Sequence, residues 1–267
     1  MSASGAMGMP SFSRVIAVTS LALEARIALG PGVSVICQQG AQLSSALAAA
    51  VEHGVAGVIS FGIAGGLAPD LVAGDWIVGA AVSAGREHFP TDRAWARKLL
   101  EALPGARHAD IVGAAAPVAS SADKRRLHAQ TGAAVVDTES HIAARIAAAC
   151  GVPFAVCRTV IDAVDMDLPP AAMVGLHHDG TPDLLAVLRS VARQPGQLPA
   201  LVRTARCARI AEAALRRGRR RLGAALGLPY VREPALDLRA QKHGRAVQPN
   251  RPSMLGYSFG NSSPMPR

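Results

Sequence analysis

The chain has 267 residues, half of them apolar and only 3% aromatic, which favours parallel strands and closely packed helices over an aromatic-rich sandwich. That length suits one large α/β domain or two small ones. The formal net charge of +9 is unevenly placed: residues 1–188 hold 12 Lys/Arg against 16 Asp/Glu, whereas residues 189–267 hold 16 against 3, so the basic character belongs to the C-terminal part.

No apolar run reaches the roughly 18–20 residues of a membrane span. The opening MSASGAMGMPSFSR has neither an early basic region nor an apolar centre, so it is not expected to act as a secretory signal. Cys37, Cys150, Cys157 and Cys207 are widely spaced and form no CxxC. Neither a zinc site nor a disulfide framework is expected, and a cytoplasmic setting is.

In chain order, Arg14 to Thr19 (RVIAVT) reads as a strand, followed by LALEARIAL. Glu24 stands there as either a first-turn acid favoured by the helix dipole or a site residue. A second strand (33–40), an Ala/Leu-rich helix (41–53) and a third strand (55–62) give the rhythm of a parallel sheet. The third strand runs into GIAGGLAPDLVAGD (62–75), read as a glycine loop. Gly62, Gly65 and Gly66, with Ala64 between them, let the backbone approach a ligand with its N–H groups unshielded, or simply make a tight turn. The spacing is not that of a dinucleotide fingerprint.

Residues 71–82 suggest a turn at Gly74-Asp75 and another strand, 91–103 a helix, and 110–113 a strand. Ser120, Ser121 and Asp123 are candidate caps for the next helix. The stretch Ala133 to Asp167 then reads as strand, helix, strand. Its helix begins near Asp137 to Glu139, with Ile142, Ala143, Ile146, Ala149 and Cys150 on the apolar stripe and Glu139 in phase with them. Phe154 to Ile161 is an almost unbroken apolar run, the pattern of a strand covered on both faces. Arg158 interrupts it, and Asp162 closes it at the end where such sheets place their ligands. A buried arginine there requires an acidic partner.

After Asp167 the chain is loop-rich, with an apolar middle (Ala171 to Leu176) and an adjacent pair, His177-His178, that lacks metal-ligand spacing. No metal site is expected. Residues 183–193 and 198–225 read as helices, and from Gly227 onward Pro, Gly, Ser, Asn and Arg predict a disordered tail. The organisation expected is therefore an α/β domain over 14–190, a basic helical extension over 191–226 and a tail over 227–267.

Four motifs, in order, resemble the nucleoside phosphorylase/nucleosidase family. VPFAVCRTVIDAVD (152–165) resembles its R-x-x-x-D strand and catalytic loop, VVDTES (135–140) its V-D-M-E segment, and GIAGGL (62–67) its glycine loop. AVTSLALEA (17–25) resembles the N-terminal strand and acid of the methylthioadenosine/S-adenosylhomocysteine nucleosidases. The resemblance covers roughly residues 14–190. It implies a three-layer α/β/α fold around a mostly parallel twisted sheet, and cleavage of the N-glycosidic bond of an adenine nucleoside by a homo-oligomer.

Residue by residue, the resemblance makes Asp162 the general acid that protonates the leaving base, Glu139 the ribose-binding acid and Glu24 the acid that activates water. Arg158 supports them, and the glycine stretch (Gly62, Ala64, Gly65, Gly66) serves phosphate or the nucleophile. Thr138 stands where the family usually carries methionine against the sugar, and Ile161 where a serine usually precedes the aspartate. The stretch also lacks the phosphate-holding arginine of several phosphorylases. Retention of Glu24 leans toward hydrolysis, while Arg26 could serve phosphate as co-substrate; no other cofactor is implied.

The segments from LPPAAMVGLHHDG onward look closest to the hopanoid-associated branch, which implies adenosylhopane, a lipid-linked nucleoside, as substrate. For the basic segment 198–225, nucleic-acid binding is disfavoured by the lack of aromatic residues and of a groove-reading motif. Two readings stay open. The segment packs on the domain as a solvated helix, or it lies on an anionic membrane, the inner one, with Leu201, Ala205, Ala208, Ala211, Leu215 and Leu222 inward. A non-catalytic nucleoside-binding protein is the remaining alternative.

Overall fold

The structure, a computed structural model, describes residues 14–174 and 183–230. The expected tail falls almost wholly outside these residues, as does the His177-His178 pair.

Apolar runs form the strands. β1 (Val15–Thr19) is buried along its whole length, with β2 (Val33–Cys37) parallel on one edge and β3 (Gly57–Gly66) parallel on the other. β8 (Phe154–Asp162) pairs parallel with the far edge of β3. β4 (Trp76–Ala84) is antiparallel to β8, and β6 (Arg107–Gly113) and β7 (Val135–Asp137) follow in parallel. β5 (Glu87–Pro90), a short antiparallel strand on β4, has no clear sequence signal. β7 returns to β3 and pairs antiparallel with Gly65 and Gly66. The mostly parallel sheet is as expected, but β3, β8, β4, β6 and β7 pair in a closed cycle. The reversal at β4 follows from its connection: Leu67 to Asp75 is shorter than the dozen or more residues a parallel crossover takes.

Period-2 alternation sorts each strand between two cores. Ile16 and Val18 of β1, Val58 of β3 and Phe154, Val156 and Val160 of β8 face the first core. There they meet Leu43, Leu47 and Val51 of α2 (Gly40–Glu52) and Ala143, Ala144 and Ala147 of α5 (Ser140–Ala149). Val15, Ala17, Ile59, Phe61, Ala155 and Cys157 face the second core. It is completed by Ile27 and Ala28 of α1 (Ala22–Ala28), Trp95 and Leu99 of α3 (Arg93–Ala102), and Leu215 and Leu222 of α8 (Leu198–Leu222). Helices on both faces of the sheet give the three layers.

Two helices depart from expectation in detail. α5 begins at Ser140 with Glu139 as its N-cap, and its inward stripe is Ser140, Ala143, Ala144 and Ala147; Ala149 and Cys150 are exposed. The phase shifts because the helix starts later and the smallest side chains meet the sheet. α8 is split along its length. Its second half buries Ala211, Ala214, Leu215, Gly218 and Leu222, so three residues of the stripe expected to face a membrane are turned to the sheet instead, whereas Ala205 is exposed and Leu201 half-buried. Beyond it, Ala225 and Leu226 enter the second core, where Trp95 Nε1 donates to Leu226 O at 2.9 Å. α4 (Ser121–Thr131) is capped by Ser120, whose Oγ accepts from Asp123 N. α6 (Pro170–Met173) and α7 (Leu184–Arg193) complete the described elements; α6 was not expected.

Candidate active site

The C-terminal half of β3 is the floor on which the candidate residues meet. It is not a loop: the glycine stretch continues the strand through Gly66, and its N–H groups are not left free for an anion as expected. Ile63 N donates to Oε1 of Glu24 at 2.7 Å, while Gly65 and Gly66 pair with β7. The glycines serve close approach instead. A Cβ on Gly66 would lie 2.8 Å from the Asp162 carbonyl, and Gly62 has φ +152 with Glu24 and Arg158 against it.

Glu24 sits in the first turn of α1 and is buried. Its Oε2 accepts from the backbone N–H groups of Ser20 and Leu21, both at 3.0 Å, so it caps its own helix while its other oxygen ties α1 to β3. The first-turn reading of this acid therefore holds, and the tie to β3 adds a contact that the helix alone does not require. Burial pushes its carboxyl up, against the opposing pull of Arg158 and of those N–H groups.

Arg158, fully buried on β8, is the centre of a second group. Nη2 lies 3.1 Å from Oε2 of Glu139 and 2.6 Å from Ser60 Oγ, and Nη1 donates to Ile63 O. Nε is 2.9 Å from Oδ2 of Asp137 yet aims away from it, so that contact is ionic without being a hydrogen bond. Asp137 in turn accepts from Ser140 N at 2.9 Å and from Ser140 Oγ, which fixes the start of α5. Thr138 Oγ1 donates to Oε1 of Glu139. Asp137, Glu139 and Glu24 face one guanidinium, so full ionisation would leave excess buried negative charge. Burial, with Asp137 and Glu24 nearby, raises Glu139 to about 7 despite Arg158.

Asp162 ends β8 opposite Gly65, after a bulge in β3 at Ala64/Gly65. Its Oδ2 is held by Nζ of Lys124, a fully buried lysine of α4. Burial pushes this carboxyl up; the ammonium opposes it. The structure thus brings Glu24, Thr138, Glu139, Arg158 and Asp162 around β3. Sequence reading missed Lys124, Asp137, Ser60 and Ser140. Lys124 had a faint signal, standing three and four residues before the half-buried Leu127 and His128 of a polar helix.

Two surface cavities lie away from this group. One is lined by His88, Thr91, Arg97 and His108, the other by Pro170, Arg189 and Arg193. Among the described residues no cluster of three or more His, Cys, Asp or Glu side chains could hold a metal ion, and no helix is long and apolar enough to cross a membrane.

The Phosphorylase superfamily model matches residues 7–192, and the chain belongs to that superfamily. No curated protein sequence matches it. Among solved structures it is similar to a 5'-methylthioadenosine/S-adenosylhomocysteine nucleosidase from Helicobacter pylori, at 13% identity and TM-score 0.58, over 80% of this chain and 98% of that one. It is also similar to the futalosine hydrolase of Helicobacter pylori, at 16% identity and TM-score 0.51, over 55% and 87%. A 5'-methylthioadenosine/S-adenosylhomocysteine nucleosidase from Neisseria meningitidis matches at 17% identity and TM-score 0.51, over 57% and 87%. At these identities the likeness is one of fold.

Proposed function

We propose that this member of the Phosphorylase superfamily is an enzyme that cleaves the N-glycosidic bond of an adenine nucleoside. The observation that carries the reading is the convergence of Glu24, Glu139 and Asp162, all buried, on the C-terminal half of β3. Breaking the bond builds positive charge on the sugar and negative charge on the base. Protonated Asp162 gives its proton to a ring nitrogen as the bond from C1' to the base breaks, a step worth ~10²–10⁴-fold. Glu139, with Thr138 beside it, accepts hydrogen bonds from the ribose hydroxyls. Glu24 takes a proton from water as the water oxygen bonds to C1', so that one water is consumed and adenine and a free ribosyl group leave. With phosphate as co-substrate, its oxygen takes the place of water.

The substrate we favour is adenosylhopane, on the resemblance of the region after β8 to the hopanoid-associated branch; methylthioadenosine or S-adenosylhomocysteine is the alternative. A lipid-linked substrate would suit peripheral membrane contact. α7 buries none of its residues and exposes Leu184, Leu185 and Leu188, and the first half of α8 exposes Leu198 and Val202 beside Arg203, Arg206 and Arg209. Ala211, Leu215 and Leu222 face the core and take no part in such contact.

The test is adenine release from adenosylhopane and from methylthioadenosine, each with and without phosphate, by wild type and Asp162→Asn. Release by wild type and none by a folded Asp162→Asn is expected. Binding without release from any substrate would leave a nucleoside-binding protein instead.

A further inference from the structure

Lys124 is the one lysine of the buried site, and its surroundings are complete. An ammonium has three N–H donors. Nζ of Lys124 gives them to Oδ2 of Asp162, to Ala163 O at 3.1 Å and to Met166 O at 2.7 Å. Two of these acceptors are backbone carbonyls of the loop that follows β8, so the same cation fixes both the carboxyl and the chain that carries it. Two further bonds join α4 and its lead-in to that loop: Ser121 N donates to Oδ1 of Asp167 at 2.6 Å, and Leu168 N to Ala119 O at 2.9 Å. Oδ1 of Asp162 receives no hydrogen bond from any described residue.

We propose that Lys124 is a positioning residue for Asp162: it occupies Oδ2, turns Oδ1 alone toward the base, and by its charge sets the pH at which the carboxyl gives up its proton. The inference rests on the reading of Asp162 as the group that protonates the base. It explains why a lysine is buried in an otherwise polar, solvated helix, where an unpaired ammonium would be strongly unfavourable. It also resolves a conflict in the site. Burial alone favours a neutral carboxyl that holds its proton too tightly to be a good acid, and an adjacent cation makes that proton easier to transfer.

Few other charges reach this carboxyl. On α4, Asp123, Arg125 and Arg126 turn to the surface, and Nδ1 of His128 contacts Ala133 O. On its own loop, Asp165 and Asp167 are exposed. Arg158, four residues back on β8, is engaged by Asp137 and Glu139. From α8, the neighbour of the loop is Cys207, whose Sγ lies 3.8 Å from Met166 Sδ.

The pH profile of kcat separates this role from simple support of the fold. Asp162 acts protonated, so activity falls on the alkaline side as it ionises. Lys124→Gln keeps a donor for the loop carbonyls and removes the charge. It is expected to move the alkaline limb to higher pH by about one unit or more and to lower kcat more than it raises KM. Lys124→Arg keeps the charge and is expected to leave the limb in place. An unmoved limb in folded Lys124→Gln overturns the inference, whereas an active Asp162→Asn would overturn the reading of Asp162 itself. If Lys124→Gln does not fold, the wild type decides. The ¹⁵N resonance of the Lys124 ammonium should step at the pH of the alkaline limb, and a resonance flat across it overturns the proposal.

Discussion

A Cβ built on Gly62 would lie 2.5 Å from Cδ of Glu24 and 2.9 Å from Nη1 of Arg158, so the middle of β3 leaves room for the acid of α1 only because it has no side chain there. With φ +152, the position is also strained for any other residue. Gly62→Ala is therefore expected to push Glu24 off Ile63 N, to destabilise the protein by ~1–3 kcal/mol and to lower activity more than tenfold. Urea denaturation and adenine release check it; wild-type activity in this variant would mean that the Glu24–β3 contact is dispensable.

Arg158 holds Asp137 and Glu139 by direct contact and acts on Glu24 through its field. Arg158→Met removes the only cation in that group and leaves buried acids facing one another, a change that costs ~3–5 kcal/mol. The loss should be pH-dependent. Without the cation Glu24 and Glu139 hold their protons to higher pH, so the variant is expected to be nearer wild-type stability at pH 5 than at pH 8, by chemical denaturation at both. Equal losses at the two pH values would mean that charge is not what Arg158 contributes.

Glu139 itself predicts a trend in the wild type. Its folded value of about 7 lies above the usual 4.5, so the folded state holds a proton that the unfolded chain has released between those values. Its stabilising contribution is full below the unfolded value and is lost as pH rises through about 7. Stability should thus fall by on the order of 2–3 kcal/mol between pH 5 and pH 8 from this group. Glu139→Gln, neutral throughout, should flatten the trend while losing activity through the sugar. A thermal melt series across that range measures the slope.

At Gly218, in the buried half of α8, a Cβ would lie 2.8 Å from Cε2 of Trp76 and 3.0 Å from Cδ2 of Leu103. Gly218→Ala gains ~1 kcal/mol in helix propensity and loses more to overpacking, so a net destabilisation of ~1–2 kcal/mol is expected. Arg217→Ala, one residue away and exposed, should change stability by less than ~0.5 kcal/mol. Stabilisation by Gly218→Ala would contradict the close packing of α8 on β4.

Much of this arrangement is legible in the chain because its signals are local. VIAVT and FAVCRTVI are apolar on both faces, so they read as strands between two helical layers. Glu139 and Asp162 are acids where apolar neighbours predominate, and the order of the motifs relates them to Glu24. What local pattern leaves out depends on partners far along the chain. The glycine stretch reads as a loop because glycine signals a turn, yet β7 and β8 pair with it and make it strand. Lys124 is not singled out by the pattern of its polar helix, because its acceptors lie 38 to 42 residues away. The arginine-rich run of α8 reads as one solvated or membrane-facing helix, but its small residues at Ala211, Ala214 and Gly218 fit against the sheet.

The sequence by itself determined most of the strands and helices, which acids are out of place, and that Arg158 needs partners, because burial periodicity and charge are properties of neighbouring residues. The tertiary structure decided which partners those are: Asp137 and Glu139 for Arg158, Lys124 for Asp162, Ile63 for Glu24. The physical reason is that strand order and closure of the sheet set which side chains share a buried volume. In that volume the balance between desolvation and a specific counter-charge, rather than residue type, decides how each acid behaves.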